Sequence, residues 1–137
     1  MNSVRILEPD LEIHQVPLER IFLEKNRFAI EVDTYSGIRK RFKFVFLCAL
    51  KIVVDDFVDL DQDPLFVDEQ HVRSIVEVAS STWTTSLIEQ AKENYHEMDF
   101  GRMRHFVVPV GDYQVEVVAH DYVVEDIGPN IGRDRTG

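Results

Sequence analysis

A two-residue turn at Gly111-Asp112 separates two apolar runs, and this stretch constrains the fold more than any other part of the chain. Glycine at the first turn position favours a type II′ turn, which requires a positive φ there. A turn at that place fixes how the two strands pair. One face then receives the apolar pairs Val110–Tyr113, Val108–Val115 and Phe106–Val117. The other face, which we expect to be partly wetted by solvent, receives Pro109–Gln114, Val107–Glu116 and His105–Val118.

Pro109 limits what can lie beside the first strand of this hairpin. Its ring removes a backbone N–H, and in the predicted register the missing donor points away from the second strand. We therefore expect an edge strand at this point, although a bulge at Pro109 explains the same residue. An edge here also allows two copies to pair, so a homo-oligomer joined near Pro109 is one functional hypothesis.

A second hairpin is predicted around Tyr35-Ser36-Gly37, because a three-residue loop that ends in a left-handed glycine is a common connection. It places Phe28–Phe44, Ile30–Phe42 and Val32–Lys40 on the core face. The other face pairs Asp33 with Arg39 and Glu31 with Arg41. Each such pair contributes about 0.2–1 kcal/mol, and a slipped register would lose it. The basic run at 39–43 is therefore interpreted as sheet electrostatics.

The rest of the pattern predicts short strands and one helix. Apolar residues continue to Val54, which is too long for one ordinary strand, so we expect a bend, bulge or turn at 47–49. Further strands are predicted at 11–16, between two prolines, at 21–23 and at 72–79. A helix follows an N-cap at Ser80 or Ser81. Its apolar stripe should cover the face of the hairpin that carries Phe106, Val108, Val115 and Val117; the stripe comprises Trp83, Leu87, Ile88, Ala91 and Tyr95.

These elements predict an α+β fold in one domain over residues 1–126. We expect a mostly antiparallel sheet of five to seven strands, curled or doubled over, with one main helix packed on it. Residues 127–137 contain glycines, a proline and few apolar anchors. They are predicted to form a flexible C-terminal tail.

The formal net charge of −10 limits the class of partner. It disfavours nucleic acid and anionic membranes and suits a basic protein. No segment approaches the length of a membrane-spanning helix, and the N-terminus lacks the apolar core of a secretory signal. The single cysteine, Cys48, lies in an apolar run, where we expect it to be buried and unreactive. We therefore expect a cytoplasmic protein.

No lysine or arginine occurs between Lys51 and Arg73, and this interval is rich in acids. We interpret it as a loop that binds a basic partner through Asp55, Asp56, Asp59, Asp61 and Asp63. The spacing Asp59-x-Asp61-x-Asp63 copies the start of a calcium loop. However, Pro64 and Gln70 stand where that loop needs a sharp turn and a glutamate. A solvated loop without metal or cofactor is therefore the prediction.

Two histidines and one aspartate are candidates for an alternative site, a pocket beside the first hairpin. His105 and His120 lie on one face of the first hairpin, and Asp121 projects from the other. These three side chains could flank a pocket for a small molecule, and the two histidines could share a metal ion or act as an acid–base pair. Alternatively, the histidines could simply face solvent. Ser80-Ser81 is explained by helix capping and lacks the glycines of a nucleophile elbow. No catalytic residue is predicted.

The order of parts resembles that of a group of small bacterial proteins. An aromatic-rich hairpin and a strand precede Ser80-Ser81-x-Trp83 at the start of the helix. The runs RHFVVP at 104–109 and YQVEVVAHDY at 113–122 follow. Uncharacterised proteins and immunity proteins of polymorphic toxin systems carry similar C-terminal hairpins after one tryptophan-bearing helix. The resemblance covers roughly the last half of the chain, and it implies a stoichiometric, non-enzymatic binder of a cognate toxin. It implies no residue-level site.

Overall fold

The computed structural model describes residues 3–16, 18–25, 27–94 and 102–132, which form an α+β fold. Seven strands make one antiparallel sheet in the order β1-β7-β8-β9-β4-β3-β2, and β5 and β6 form a separate small hairpin. The elements are β1 (Ser3–Ile6), β2 (Arg20–Glu24), β3 (Arg27–Val32), β4 (Ile38–Val54), β5 (Phe66–Val67), β6 (Gln70–His71), β7 (Val76–Ala79), α1 (Thr82–Asn94), β8 (Arg104–Val110) and β9 (Tyr113–Pro129). The predicted fold class is confirmed.

The hairpin β8–β9 has the predicted register. Val110 pairs with Tyr113, and the pairing continues without a shift to Arg104 and Ala119. Gly111 adopts φ +59°, as a primed turn requires. The absence of a register shift excludes the bulge at Pro109. The ladder between β7 and β8 covers only 105–107, so β8 is an inner strand at that end and an edge at Pro109.

The second hairpin, β3–β4, is also confirmed. Phe28 pairs with Phe44 and Glu31 with Arg41. Gly37 closes the loop at φ +88°. The charge pairs on the other face form as predicted, since Asp33 and Arg39 are 2.9 Å apart and Glu31 and Arg41 are 2.7 Å apart.

The long strands β4 and β9 bend together, and this bend produces the core. Their pairing shifts register between Leu47 and Ala49, where a bend or bulge was predicted, and Phe46 takes φ +58°. The bend brings apolar residues of both hairpins into one cluster that includes Phe28, Phe42 and Phe106, each at most 1 % exposed. The core therefore lies inside a doubled-over sheet.

The second face of the β8–β9 hairpin is buried, contrary to our expectation that solvent would wet it. Val107 and Val118 are fully buried, and His105 is only 6 % exposed. Leu65, from the loop before β5, packs with Val107 on this side. The alternation of the strands indicated two faces correctly, but it did not indicate that a distant loop would cover the second.

The helix contacts a different face of the sheet from the one predicted. Its tryptophan, Trp83, meets the ring of His105 edge-on at 5.2 Å, on the face opposite Phe106. The predicted contact of Trp83 with Phe106, Val108, Val115 and Val117 is therefore wrong. Thr84 is the one buried residue of α1. The described side chains of the apolar stripe are half-buried. Tyr95, the last predicted residue of that stripe, lies outside the described residues.

The start of α1 is capped as predicted, by Ser81 rather than Ser80. The Ser81 Oγ accepts a hydrogen bond from the Thr84 N–H at 3.1 Å. Ser80 instead occupies the turn, with φ +55°. No helix in the described part of the chain has both the length and the apolar character needed to cross a membrane.

The N-terminal part of the chain forms less strand than predicted in one place and more in another. Over 11–16 the structure has a single bridge, from Ile13 to Thr34, in place of the predicted strand. An unpredicted strand, β1, pairs with β7 at one edge of the sheet. The strand predicted at 72–79 forms only from Val76 onward.

The C-terminal part of the chain remains part of the fold beyond residue 126, where the predicted domain ends. Residues 127–129 belong to β9, and Ile38 pairs with Pro129. Beyond them, the Ile131 and Gly132 N–H groups donate to the Asp33 carboxylate at 3.0 and 2.8 Å. The flexible tail predicted over 127–137 is thus replaced by an anchored segment as far as Gly132. Residues 133–137 lie outside the described residues.

Candidate functional site

The acidic loop, defined here as residues 55–69, follows the end of β4 directly. Two short 3₁₀ turns, at Asp55–Phe57 and Leu60–Gln62, give it local order. The Asp55 N–H donates to the Asp112 carbonyl at 2.9 Å, which ties the loop to the hairpin turn. Four of the predicted partner-binding residues are exposed and one is half-buried; the exposed residues are Asp55, Asp56, Asp59 and Asp61, and the half-buried one is Asp63.

The carboxylates of the acidic loop lie close to one another in charge-rich surroundings. Within the described ranges, none of its aspartates or glutamates joins an ion pair, whereas Glu31, Glu77 and Glu116 each do. Burial raises the pKa of Asp55, and the nearby charges of Asp63, Asp112 and Asp56 raise it further. Like charges therefore crowd at the start of the loop, and an incoming cation would relieve their repulsion.

An aromatic side chain stands in the middle of these acids. Phe57 is 82 % exposed, more than any other large apolar residue in the described chain. Val54 and Tyr113, a cross-strand pair beside it, are each 39 % exposed. Aromatic residues, including phenylalanine, are enriched in the cores of protein interfaces, and the rims of such interfaces are polar.

A cleft of about 1010 Å³ lies between the acidic loop and the second face of the hairpin. The loop forms one wall, and Trp83 at the start of α1 forms another. The floor is formed by side chains of β4, β8 and β9 that point to the same face. The floor side chains with polar groups are Lys51, His105, Gln114 and Glu116.

A hydrogen-bonded relay crosses this floor. The His105 Nε2 lies 2.8 Å from the Glu116 Oε1, and its Nδ1 lies 2.7 Å from the Ser81 Oγ. Because a carboxylate only accepts, the Nε2 carries the proton, and in the neutral ring the Nδ1 accepts the Ser81 hydroxyl proton. The Glu116 Oε2 also contacts the Lys51 Nζ at 3.1 Å.

The charge of Glu116 is held by these two neighbours. Burial alone would raise the pKa of Glu116, but hydrogen bonds from His105 and Lys51 outweigh it, so that the pKa lies below its ordinary value. The Lys51 ammonium also lies 5.0 Å from the centre of the Trp83 ring. The cleft floor therefore contains one ionised carboxylate and one cation already placed over an aromatic face.

Of the three side chains predicted for an alternative pocket, only His105 lines the cleft. The His120 ring stacks on Phe46 at 4.3 Å, at the bend of β4. The Asp121 carboxylate accepts a hydrogen bond from Arg104 at 3.1 Å, and this bond is exposed to solvent. The structure thus separates His105 from the other two. It brings His105 to Ser81 and Glu116 instead.

Ser81, Lys51 and Glu116 were not predicted from the sequence as members of one site. The predicted register did contain part of the signal, since it placed His105 and Glu116 on the same face as diagonal neighbours. Ser81 and Lys51 come from other elements, and no local pattern connects them to the hairpin.

The aspartates with calcium-loop spacing, at 59, 61 and 63, belong to local turns. The Asp59 Oδ1 accepts the Asp61 N–H at 3.1 Å, and the Asp63 Oδ1 accepts the Leu65 N–H at 2.9 Å. Across the described residues, no three histidine, cysteine or acidic side chains lie close enough to share a metal ion.

Cys48 is exposed, contrary to our expectation of a buried thiol. The bend of β4 turns it outward, and its Sγ lies 3.5 Å from the Phe46 carbonyl oxygen. Local desolvation still raises the pKa of the thiol, which keeps it a weak nucleophile at neutral pH.

Comparison with known proteins found no matching family model, no matching curated protein and no matching solved structure.

Proposed function

We propose that this protein is a non-enzymatic protein-binding module whose acidic loop engages a basic surface on its partner. The observation that carries the proposal is Phe57, 82 % exposed among carboxylates without ion pairs. An exposed phenylalanine costs solubility, and its burial against a partner would recover apolar contact area. The surrounding carboxylates supply the field that selects a basic partner and accelerates its association.

The partner we propose is a toxin, and the module would be an immunity-type inhibitor in the bacterial cytoplasm. This form follows from the resemblance described for the last half of the chain. A stoichiometric inhibitor needs a complementary surface and no catalytic group. An acidic loop with an apolar centre meets that requirement for a toxin with a basic active face.

A photo-crosslinking amino acid at position 57 tests where the partner binds. In cells of the native host, the variant is expected to yield one discrete crosslinked product whose other member is a basic protein. The same group at Leu23, which is 60 % exposed on the distant strand β2, is the control and should not capture that protein. Equal capture at both positions would contradict a specific surface at the loop.

Neutralising the loop should weaken binding to the captured partner by at least about tenfold and should flatten the salt dependence of the association rate. The test variant carries Asp55→Asn, Asp56→Asn, Asp59→Asn and Asp61→Asn. Asparagine keeps the side-chain oxygen that accepts the turn hydrogen bond at position 59. A matched control removes four exposed charges elsewhere, through Asp10→Asn, Glu24→Gln, Glu89→Gln and Glu93→Gln. Equal losses in the two variants, or none in the first, would exclude the loop.

A second candidate function, an enzymatic pocket beside the hairpin, is favoured by the Ser81–His105–Glu116 relay. The relay gives the Ser81 hydroxyl a base and gives that base an orienting carboxylate, which is the arrangement of an activated serine. A fluorophosphonate probe should then label Ser81, and Ser81→Asp should abolish labelling while retaining a good helix cap. Intact protein that takes up no probe would remove this candidate.

A further inference from the structure

We propose that the cleft receives an arginine side chain of the partner, so that one guanidinium group anchors the complex beside Phe57. This inference rests on the proposed function and adds the chemical group that the site recognises. It follows from the charge of the cleft lining, from a cation already held within the cleft, and from a side-chain amide on the cleft floor.

The walls of the cleft suit a planar cation. The acidic loop contributes Asp59, Asp61 and Asp63 to the cleft lining, and α1 contributes Trp83. A guanidinium group can stack on an aromatic face while its N–H groups donate to a carboxylate in a forked arrangement. An ammonium group is a compact point charge and cannot do both as well. This geometry favours arginine over lysine.

Lys51 shows that the floor accommodates a cation. Its Nζ lies 5.0 Å from the centre of the Trp83 ring and 3.1 Å from the Glu116 Oε2. An aromatic face and a largely buried carboxylate are thus already arranged around one positive group supplied by the chain itself. An incoming guanidinium would compete with Lys51 for these two groups, or would bind next to it against the acidic wall.

Gln114 places a further hydrogen-bonding group on the cleft floor. The residue is only 2 % exposed and lines the cleft. In the part of the chain that the structure describes, its side-chain amide makes no hydrogen bond. The amide lies against the cleft, where its carbonyl oxygen can accept an N–H from a guanidinium placed over the floor.

Tryptophan fluorescence measures this binding directly, because Trp83 is the single tryptophan of the chain. The probe is N-acetyl-arginine amide, which presents the side chain as a protein does. A saturable change in emission is expected, with half-saturation at roughly millimolar concentration. N-acetyl-citrulline amide has nearly the same shape without the charge, and it should produce no saturable change. Equal responses to the two probes would overturn the proposal.

Two substitutions are expected to change the affinity for the arginine probe in opposite directions. Lys51→Met removes the competing cation and keeps an unbranched side chain, so the arginine probe should bind at least threefold more tightly. Gln114→Leu removes the acceptor and should weaken the probe at least threefold. Gln90→Leu, at an exposed position of α1, is the matched control and should change nothing. Weaker binding in Lys51→Met would overturn the competition.

The experiment also separates this inference from the proposed function. If neutralising the loop abolishes partner binding while the arginine probe never binds, the acidic loop is retained as the partner-binding surface and the arginine-binding cleft is rejected. If free arginine binds at least tenfold more tightly than its blocked amide, the cleft serves a free amino acid and the assignment to a partner side chain is overturned.

Discussion

Replacing Asp33 by asparagine is expected to lower the free energy of unfolding by about 3–5 kcal/mol, because it leaves a buried arginine without its counter-charge. The Arg39 Nη1 lies 2.9 Å from the Asp33 Oδ1, and the two side chains are 4 % and 0 % exposed. Arg39 is also bound to the Leu18 carbonyl at 2.9 Å, so it cannot swing into solvent without further loss. Urea unfolding of the two proteins measures the difference.

The ion pair of Lys40, the residue that follows Arg39 on β4, provides the control for Asp33→Asn. Asp126 pairs with Lys40, and the Asp126 side chain is 61 % exposed. Exposed pairs contribute little, so Asp126→Asn should change stability by only a small fraction of the Asp33 effect. Similar losses for the two variants would contradict the burial of Asp33.

The same carboxylate should contribute to the acid limb of the stability curve. Burial alone would raise the pKa of Asp33, but N–H groups of Gly132 and Ile131 and the Arg39 guanidinium outweigh it, so the pKa lies below its ordinary value. A lowered pKa in the folded state means that protonation favours unfolding. The contribution is therefore complete above the unfolded pKa of about 3.9 and is lost as the pH falls through the folded value. Asp33→Asn should flatten the curve in that window.

Replacing Phe106 by alanine is expected to cost about 3–5 kcal/mol of unfolding free energy, since it opens a cavity where the two halves of the sheet meet. The Phe106 ring is fully buried, and it lies 5.8 Å from the Phe44 ring and 5.2 Å from the Tyr122 ring. The surrounding strands cannot collapse into the space without breaking their ladders.

Phe57→Ala is the matched control for Phe106→Ala, because it makes the same chemical change at a residue that is 82 % exposed. Its unfolding free energy should stay within about 0.5 kcal/mol of the unmodified protein. Its affinity for the partner should nevertheless fall, which separates a binding role from a packing role. A large loss of stability at position 57 would show that the side chain is buried and would remove it from the proposed surface.

The parts of the fold that the sequence predicted are those governed by local geometry. Glycines at 37 and 111 allow left-handed turns, and each turn determines the register of the strands that it joins. The alternation along those strands then placed Asp33 opposite Arg39 and Glu31 opposite Arg41. The bend at 47–49 followed from strand length alone. These inferences needed no knowledge of distant parts of the chain.

The prediction of the candidate site was less complete. The acidic loop and its aspartates were identified because an interval without lysine or arginine is visible in the sequence. Phe57 was not singled out, since the exposure of one phenylalanine in a loop depends on what the rest of the fold leaves uncovered. His120 and Asp121 were grouped with His105 by their nearness in sequence. The bend of β4 instead gives His120 a different neighbour, Phe46.

By itself, the sequence determined the two hairpins, the capped helix, the acidic loop and the α+β class, because turns, caps and alternation act over a few residues. Only the tertiary structure decided which face of the sheet the helix and loop would cover. It also brought Ser81, Lys51, His105 and Glu116 together on one cleft floor. The physical reason is that the residue pattern of a strand shows that one of its faces must be covered, but not by which segment. The bend of the two long strands decides which segment can reach that face.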